Sequence, residues 1–353
     1  MKILFIFAIF FSTEPTAYCL MKPYDNIKTT PARKCVMAIL CIVLLSCNQN
    51  TSVDYTYYYW KTNLSLTTEE NKALQQATND HLYVRYFDID KTDTLFFPVA
   101  VLTKDASFKT DKKIIPVIYI TNRSFINSNT EQINFLAKSI AQHIEKISEE
   151  LQLNTTTEIQ IDCDWTQSTR DDYFYFLKEL KNVSNKKITS TLRLHQVKDK
   201  AIMGIPPVEK VYLMCYATSS PLENDNKNSI LDVNILKKYL AKLHTYPLKT
   251  DIALPIYSWA IVTNHIGKHK LINAVTANEL KNSNFKQIKE NEFEVINEGF
   301  YFDTYLSAGF KLKVEEITER QLKETLSFIN KKIKNYTILY YHLDERFIIN
   351  RNL

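Results

Sequence analysis

The sequence predicts an α/β chain folded as a closed (β/α)8 TIM barrel with an insertion between its seventh and eighth strands. Eight stretches rich in β-branched and aromatic residues follow one another between Tyr55 and Leu343. Most are separated by segments of helical periodicity, and that alternation implies a parallel sheet. The chain of 353 residues holds only four glycines, Gly204, Gly267, Gly299 and Gly309. No glycine-rich phosphate loop can be built from them, which places an open doubly wound sheet second.

Tyr55–Trp60 is the first strand stretch, dense in aromatics. Ser65–Thr78 reads as a helix, with Thr67 or Thr68 as N-cap and Glu69 and Glu70 in the first turn. His81–Asp88 is the second strand. Residues 91–113 are polar with short apolar pieces and suggest a hairpin excursion. Ile114–Ile120 is the third strand. In Thr130–Leu151, Ile133, Leu136, Ile140, Ile144 and Ile147 recur at helical spacing.

Glu158–Trp165 contains the fourth strand and a polar end. Residues two apart on a strand share a face, so Asp162 and Asp164 point one way and Ile161, Cys163 and Trp165 the other. Two neighbouring carboxylates are costly to bury unless they bind something, share a proton or are held by Arg or backbone N–H groups. Ser168–Leu180 is a helix with Ser168 as N-cap. Lys187–His195 is the fifth strand, Val211–Tyr216 the sixth and Asp251–Tyr257 the seventh, with a helix over Asp232–Leu243. Glu319–Ile333 is helical and Thr337–Leu343 is the eighth strand. The insertion, near 262–316, opens with an Asn- and Lys-rich stretch that favours a surface loop. Phe293–Val295, Tyr301-Phe302 and Phe310–Val314 fit short strands over the barrel mouth.

Ahead of the barrel lies a targeting segment. Arg33 and Lys34 precede an apolar run from Cys35 to Leu45, then Leu44-Leu45-Ser46-Cys47 and a polar stretch. A basic region, a short apolar core and a small residue before the cleavage point make a secretory signal. With Cys at the cleavage position it resembles the lipobox of bacterial lipoproteins. That resemblance implies cleavage after residue 46 and acylation of Cys47; a linker over 47–54 and the barrel over 55–353 are expected to follow. It also implies a lipid-anchored place at a membrane surface of the bacterial cell envelope. Residues 1–20 form a second apolar stretch, which fits a translation start at Met21 or later.

The formal charge of +5 is concentrated there: residues 1–46 carry net +3, leaving +2 for the remainder. No nucleic-acid footprint follows from that. Of six cysteines, Cys163 and Cys215 lie in the barrel and read as buried thiols. His265 and His269, four apart across Gly267, read as a surface loop, and no Cys/His cluster has zinc-ligand spacing. Neither a metal nor a cofactor is expected, and the oligomeric state is left open.

Active sites of this fold gather at the C-terminal strand ends. There the sequence places Trp60; Arg85, Asp88 and Asp90; Asn122 and Arg123; Asp162, Asp164 and Trp165; Arg193, His195 and Gln196; Tyr216; Tyr257 and Trp259; and His342, Asp344 and Glu345. All three tryptophans of the chain are in this set. Aromatic faces beside carboxylates form the usual surface for a sugar, so a carbohydrate ligand is expected. The ligand-binding candidates are Trp60, Arg85, Asp88, Trp165, Arg193, Gln196, Tyr216, Tyr257 and Trp259. The candidates for proton transfer are Asp164, Asp162, His195 and Asp344. Arg193 is expected to hold one of the two fourth-strand aspartates, leaving Asp164 free, and Arg85 with Asp88 to form a similar pair.

Ile159–Thr166, Thr191–Gln196 and Leu213–Tyr216 together resemble a family of bacterial lipoproteins that is itself similar to barrel glycoside hydrolases, over about Tyr55 to the C-terminus. More distantly the fourth strand resembles the chitinase-type signature, in which spaced aspartates lead to a catalytic Glu. Asp162 and Asp164 match the aspartates, and Thr166 stands where the Glu is expected. The resemblance thus implies the fold and a carbohydrate at the mouth. The alternatives for activity are a glycoside hydrolase using Asp164 with Asp162, Asp344 or Asp88, a non-catalytic glycan-binding lipoprotein, and a structural envelope protein whose insertion fills the mouth.

Overall fold

A computed structural model describes residues 53–93, 95–222, 227–349 and 351. The signal segment, Cys47 and most of the linker lie outside the described residues. Thr51–Leu353 form one compact unit. Its centre is a closed barrel of eight strands: β1 Tyr55–Tyr59, β2 His81–Thr92, β3 Lys113–Ile120, β4 Glu158–Asp162, β5 Lys187–Leu192, β6 Lys210–Met214, β7 Lys249–Pro255 and β8 Ile338–Tyr341. Each pairs in parallel with the next, and β8 pairs with β1 to close the ring. The TIM barrel expected from the alternation is the observed fold.

The helices pack outside: α1 Thr68–Gln76, α2 Thr130–Glu150, α3 Arg170–Ser184, α4 Val233–Tyr239 and α5 Glu319–Ile329. Capping boxes start three of them, with Thr67, Asn129 and Thr318 as N-caps. In α2, Ile133, Leu136, Ala137, Ile140, Ala141, Ile144 and Ile147 form one buried stripe against the barrel wall. Each Ile or Leu buried there contributes about 1.5–3 kcal/mol. The β2–β3 connection carries no helix among its described residues. Instead Leu95–Val99 runs back antiparallel to the end of β2, as the hairpin reading of 91–113 expects. Pro98 is tolerated because this strand is an edge.

Three elements have bounds other than those their composition suggests. The fifth strand stops at Leu192, and Arg193 caps a short helix, Leu194–Lys198. The reason is local: the Gln196 side chain accepts from the Arg193 N–H at 2.7 Å, closing a helical turn. His195 therefore rides on that helix and does not share a strand face with Arg193. The third helix begins at Arg170 after Thr169, so Ser168 is not its cap. The seventh strand ends at Pro255, leaving Tyr257 and Ser258 in a connection.

The inside of the barrel is filled with aromatic and polar side chains, several of them hydrogen-bonded across it. The Gln160 amide donates to the Tyr58 hydroxyl at 2.8 Å, and the hydroxyls of Tyr83 and Tyr212 are 2.9 Å apart. Both contacts cross the barrel, joining β1 to β4 and β2 to β6. At the strand starts, Glu158 lies 3.3 Å from Lys210 and 3.5 Å from Lys187, and Lys210 also meets Asp251 at 3.3 Å. Burial alone raises the Glu158 carboxyl. Lys210, Tyr212, Lys187 and Thr189 outweigh it and hold the group below its ordinary value. This end is closed by paired charges, and removing one partner would leave a buried charge uncompensated.

The insertion is a small antiparallel sheet with its own core. Its strand order is His269–Asn273, Trp259–Thr263, Lys311–Glu315, Glu292–Val295, Phe285–Lys289. Ala260, Val262, Ile272, Val275, Leu280, Phe293, Leu312 and Val314 bury one side of it. A hairpin, Gly299–Tyr301 with Thr304–Leu306, stands beside it. The Asn- and Lys-rich opening is thus a β-hairpin and no loose loop. In the pairing of Trp259–Thr263 with His269–Asn273, Ala260, Val262 and Ile272 face the insertion core, while Trp259 and Asn273 share the other face.

Candidate functional site

The C-terminal ends of all eight strands converge on one cavity of about 620 Å³. Trp60 enters from β1, Asp88 from β2, Tyr119 from β3, Asp162 and Asp164 from β4 and Arg193 from β5. Met214 and Tyr216 come from β6, Tyr257 and Ser258 from β7, and Tyr341 and His342 from β8. Trp259, Asn273 and Ala274 of the insertion form one wall, and Arg346 and Phe347 another.

The registers explain part of this convergence. Asp88 pairs with Tyr119, and Tyr119 with Asp162, so the three lie in one row across β2, β3 and β4. Thr191 on β5 continues the row by donating its hydroxyl to Asp162 at 2.7 Å. A β-bulge between Arg85 and Phe87 shifts the alternation of β2. Residues three apart on a regular strand face opposite ways; the extra residue brings Arg85 and Asp88 to the same side. The Arg85 guanidinium then grips Asp88 with two parallel bonds, one of 2.6 Å from Nε, which is the pair the sequence suggested.

The aromatic side chains form a connected lining. Tyr341 sits centrally, stacked on Tyr216 with ring centroids 5.4 Å apart. It also meets Trp60 at 5.3 Å and Tyr257 at 5.7 Å in edge-to-face contacts. Tyr257 in turn meets Trp259 at 5.3 Å. The Trp259 indole donates to Glu315 at 2.9 Å, and the same buried carboxylate accepts the Ser229 N–H at 3.0 Å. Arg85 lies over the Trp60 ring at 5.7 Å.

Charge is distributed in pairs with one exception. Arg85 holds Asp88. The Arg193 Nε lies 3.5 Å from Asp164. Arg346 takes Asp344 with bonds of 2.9 and 2.7 Å. Asp162 has no cation within ion-pair distance among the described residues. Its burial and the neighbouring Asp164 push its carboxyl up to about 7, against the opposing pull of Thr191 and Arg193. The geometry thus reverses the expected division: Asp164 is the aspartate that Arg193 holds, and Asp162 is the one left over. Burial drives Tyr119 up to about 12, with Asp164 and Asp162 adding to it. Burial takes His342 down to about 4, so its imidazole is neutral near pH 7.

Five sequence candidates line no part of the cavity; Arg85 stands behind it, holding Asp88 and lying over Trp60. Trp165 is fully buried, stacked on Tyr173 at 5.1 Å, with its indole N–H on the Met203 carbonyl at 3.1 Å. It is core, because the chain turns after Asp164 and drives the ring under α3. Gln196 is fully buried and ties Arg193 to the Trp165 carbonyl. His195 is half-buried on the short helix and lines no part of the cavity. Asp344 is 5% exposed and caps the turn Glu345–Ile348; its bonds to Arg346 withdraw it from proton transfer. Thr166, at the position of the expected Glu, is exposed and bonds Ser168 and Thr169 at the start of α3.

The sequence reading passed over Tyr119, Ser258, Asn273, Tyr341, Arg346 and Phe347. Tyr119 and Tyr341 were legible from strand alternation, since each shares a face with the residue two before it. Asn273 had no local signal, because it reaches the mouth through the insertion sheet. Ser258 is 3% exposed and lines the cavity, and its buried hydroxyl has no hydrogen-bond partner among the described residues.

No family model matches the chain, and no curated protein matches it. Solved structures similar to it include the spore cortex-lytic enzyme SleL of Bacillus cereus, 16% identical over 82% of this chain and 71% of that one, with a TM-score of 0.49. A chitinase from Chromobacterium violaceum is 10% identical over 82% of this chain and 96% of that one, with a TM-score of 0.49. The C-terminal domain of a putative chitinase from Desulfitobacterium hafniense is 12% identical over 84% and 95%, with a TM-score of 0.48. The similarity to these structures lies in the fold.

Proposed function

We propose that the barrel mouth is a saccharide-binding site and that the protein serves as a glycan-binding lipoprotein of the bacterial cell envelope. One observation carries the binding reading. Trp60, Tyr216, Tyr257, Trp259 and Tyr341 form a continuous aromatic lining around Asp162, Asp164 and Arg193 in a cavity of about 620 Å³. Sugar rings present apolar faces and a belt of hydroxyls, and this lining offers both kinds of partner. Binding without cleavage is favoured because the carboxylates that might pair across the cavity are spoken for. Asp88 is clamped by Arg85, Asp344 by Arg346, and Asp164 faces Arg193.

Hydrolysis is the second reading, and Asp162 supports it. A carboxyl held near 7 beside another aspartate has the protonation that a general acid needs. Asp164, two residues beyond the end of β4, lines the same cavity and is the second carboxyl such a reaction would use. The two readings separate by titration and turnover on the same oligosaccharides. Binding with no released sugar over days supports the binding protein. Turnover that disappears in Asp162→Asn while affinity remains supports the hydrolase.

The lipid anchor belongs to this proposal on the strength of the Leu44–Cys47 motif. Cys47→Ser should move the protein from the membrane to the soluble fraction and abolish labelling by a radioactive fatty acid. Unchanged labelling would remove the anchor from the proposal.

A further inference from the structure

We propose that the glycan taken by this mouth carries a protonated amine, seated against Asp162 within the rings of Tyr119, Tyr216 and Tyr341. The inference rests on the saccharide-binding reading and adds the charge of the ligand. Its first support is the pairing of charges. Each other lining carboxylate has a guanidinium partner, while Asp162 has only the neutral Thr191 hydroxyl. A ligand cation supplies what the protein does not. The second support is the setting. Tyr119 is the register neighbour of Asp162, and the stacked rings of Tyr216 and Tyr341 line the same cavity. A cation between aromatic faces and a carboxylate gains from the ring quadrupoles as well as from the charge. The third, independent support is the Ser258 hydroxyl. The residue lines the cavity, and its hydroxyl is buried beside it with no partner among the described residues. Such a group points to a polar ligand atom, here a hydroxyl adjoining the amine.

The charged groups acting on Asp162 are Asp164 on its own strand, Asp88 on β2 and Arg193 after β5; the tyrosines around it are neutral. Because its carboxyl is pushed up to about 7, an ammonium bound beside it expels a proton to the buffer. A neutral ligand expels none.

The test uses the full-length protein and isothermal titration at pH 6.5 in two buffers of different ionisation enthalpy. The probes are β-1,4-linked tetramers of glucosamine, of N-acetylglucosamine and of glucose. The glucosamine tetramer should bind about tenfold or more tighter than the other two, with proton release. Asp162→Asn should abolish that preference while keeping affinity for the glucose tetramer, and Asp162→Glu should retain it. If the three tetramers bind wild type within threefold of one another, or the acetylated one binds tightest, the amine proposal is overturned and saccharide binding stands. If none binds, both fail. The wild-type comparison decides the matter even where a variant does not fold.

Discussion

Burial and the neighbouring Asp164 make ionising Asp162 costlier in the folded chain than in the unfolded one, and they outweigh the hydrogen bond from Thr191 and the pull of Arg193. An unfolded Asp titrates near 3.9, while this one is pushed up to about 7. Between those values the native state holds more protons than the unfolded state. Stability therefore falls as pH rises through that window and levels off above it. Asp162→Asn should remove the penalty. We expect it to raise stability by roughly 1–3 kcal/mol at pH 8 and to change little at pH 4, as read by urea unfolding at both pH values. Equal effects at both would mean the gain is not electrostatic. At this scale the sequence was partly legible. Alternation placed Asp162 and Asp164 on one side. Which of them Arg193 would take was not, because the chain leaves β5 at Leu192 and turns Arg193 into a helix cap.

Elements hold the site through contacts that lie behind it. Glu70 is fully buried in the first turn of α1. It pairs with Lys61 beside Trp60, accepts the Thr67 N–H at 3.2 Å and accepts the Glu345 N–H at 2.8 Å. One carboxylate thus ties the loop after β1 to the turn after β8, and those two segments present Trp60, Arg346 and Phe347. Glu70→Gln keeps the size and loses the charge. It should cost about 1–3 kcal/mol and weaken saccharide binding several-fold without altering proton release from Asp162. A loss of stability with affinity intact would show that the two loops do not need the tie. The sequence made Glu70 visible as a first-turn acid but not as a clamp, since Glu345 is far away in the chain. The bulge in β2 was equally hidden. It depends on pairing with β3, and Tyr86 looks like any other strand residue.

For the molecule as a whole, closure of eight parallel strands was legible because each stretch carries the dense apolar side chains of a strand buried on both faces. The insertion sheet was legible in part: short strands near Phe293–Val295 and Phe310–Val314 are borne out, whereas Trp259–Thr263, His269–Asn273 and Phe285–Lys289 were hidden because they are short and the sheet joins partners distant in sequence. That sheet has a core separate from the barrel, and its ends are neighbours: Trp259 pairs with Glu315. Replacing residues 260–314 by a short Gly/Ser linker should leave a folded barrel by circular dichroism and reduce saccharide affinity about tenfold, through loss of Asn273 and of the support for Trp259. Retained affinity would place the ligand against the other wall. The central claim is that aromatic rings at the mouth hold a sugar. The most direct measurement is isothermal titration of an oligosaccharide panel against wild type and the Trp60→Ala/Trp259→Ala double variant. The account predicts binding by wild type and at least a tenfold loss in the double variant, with cooperative unfolding preserved. No binding by wild type, or equal binding by both proteins, would contradict it.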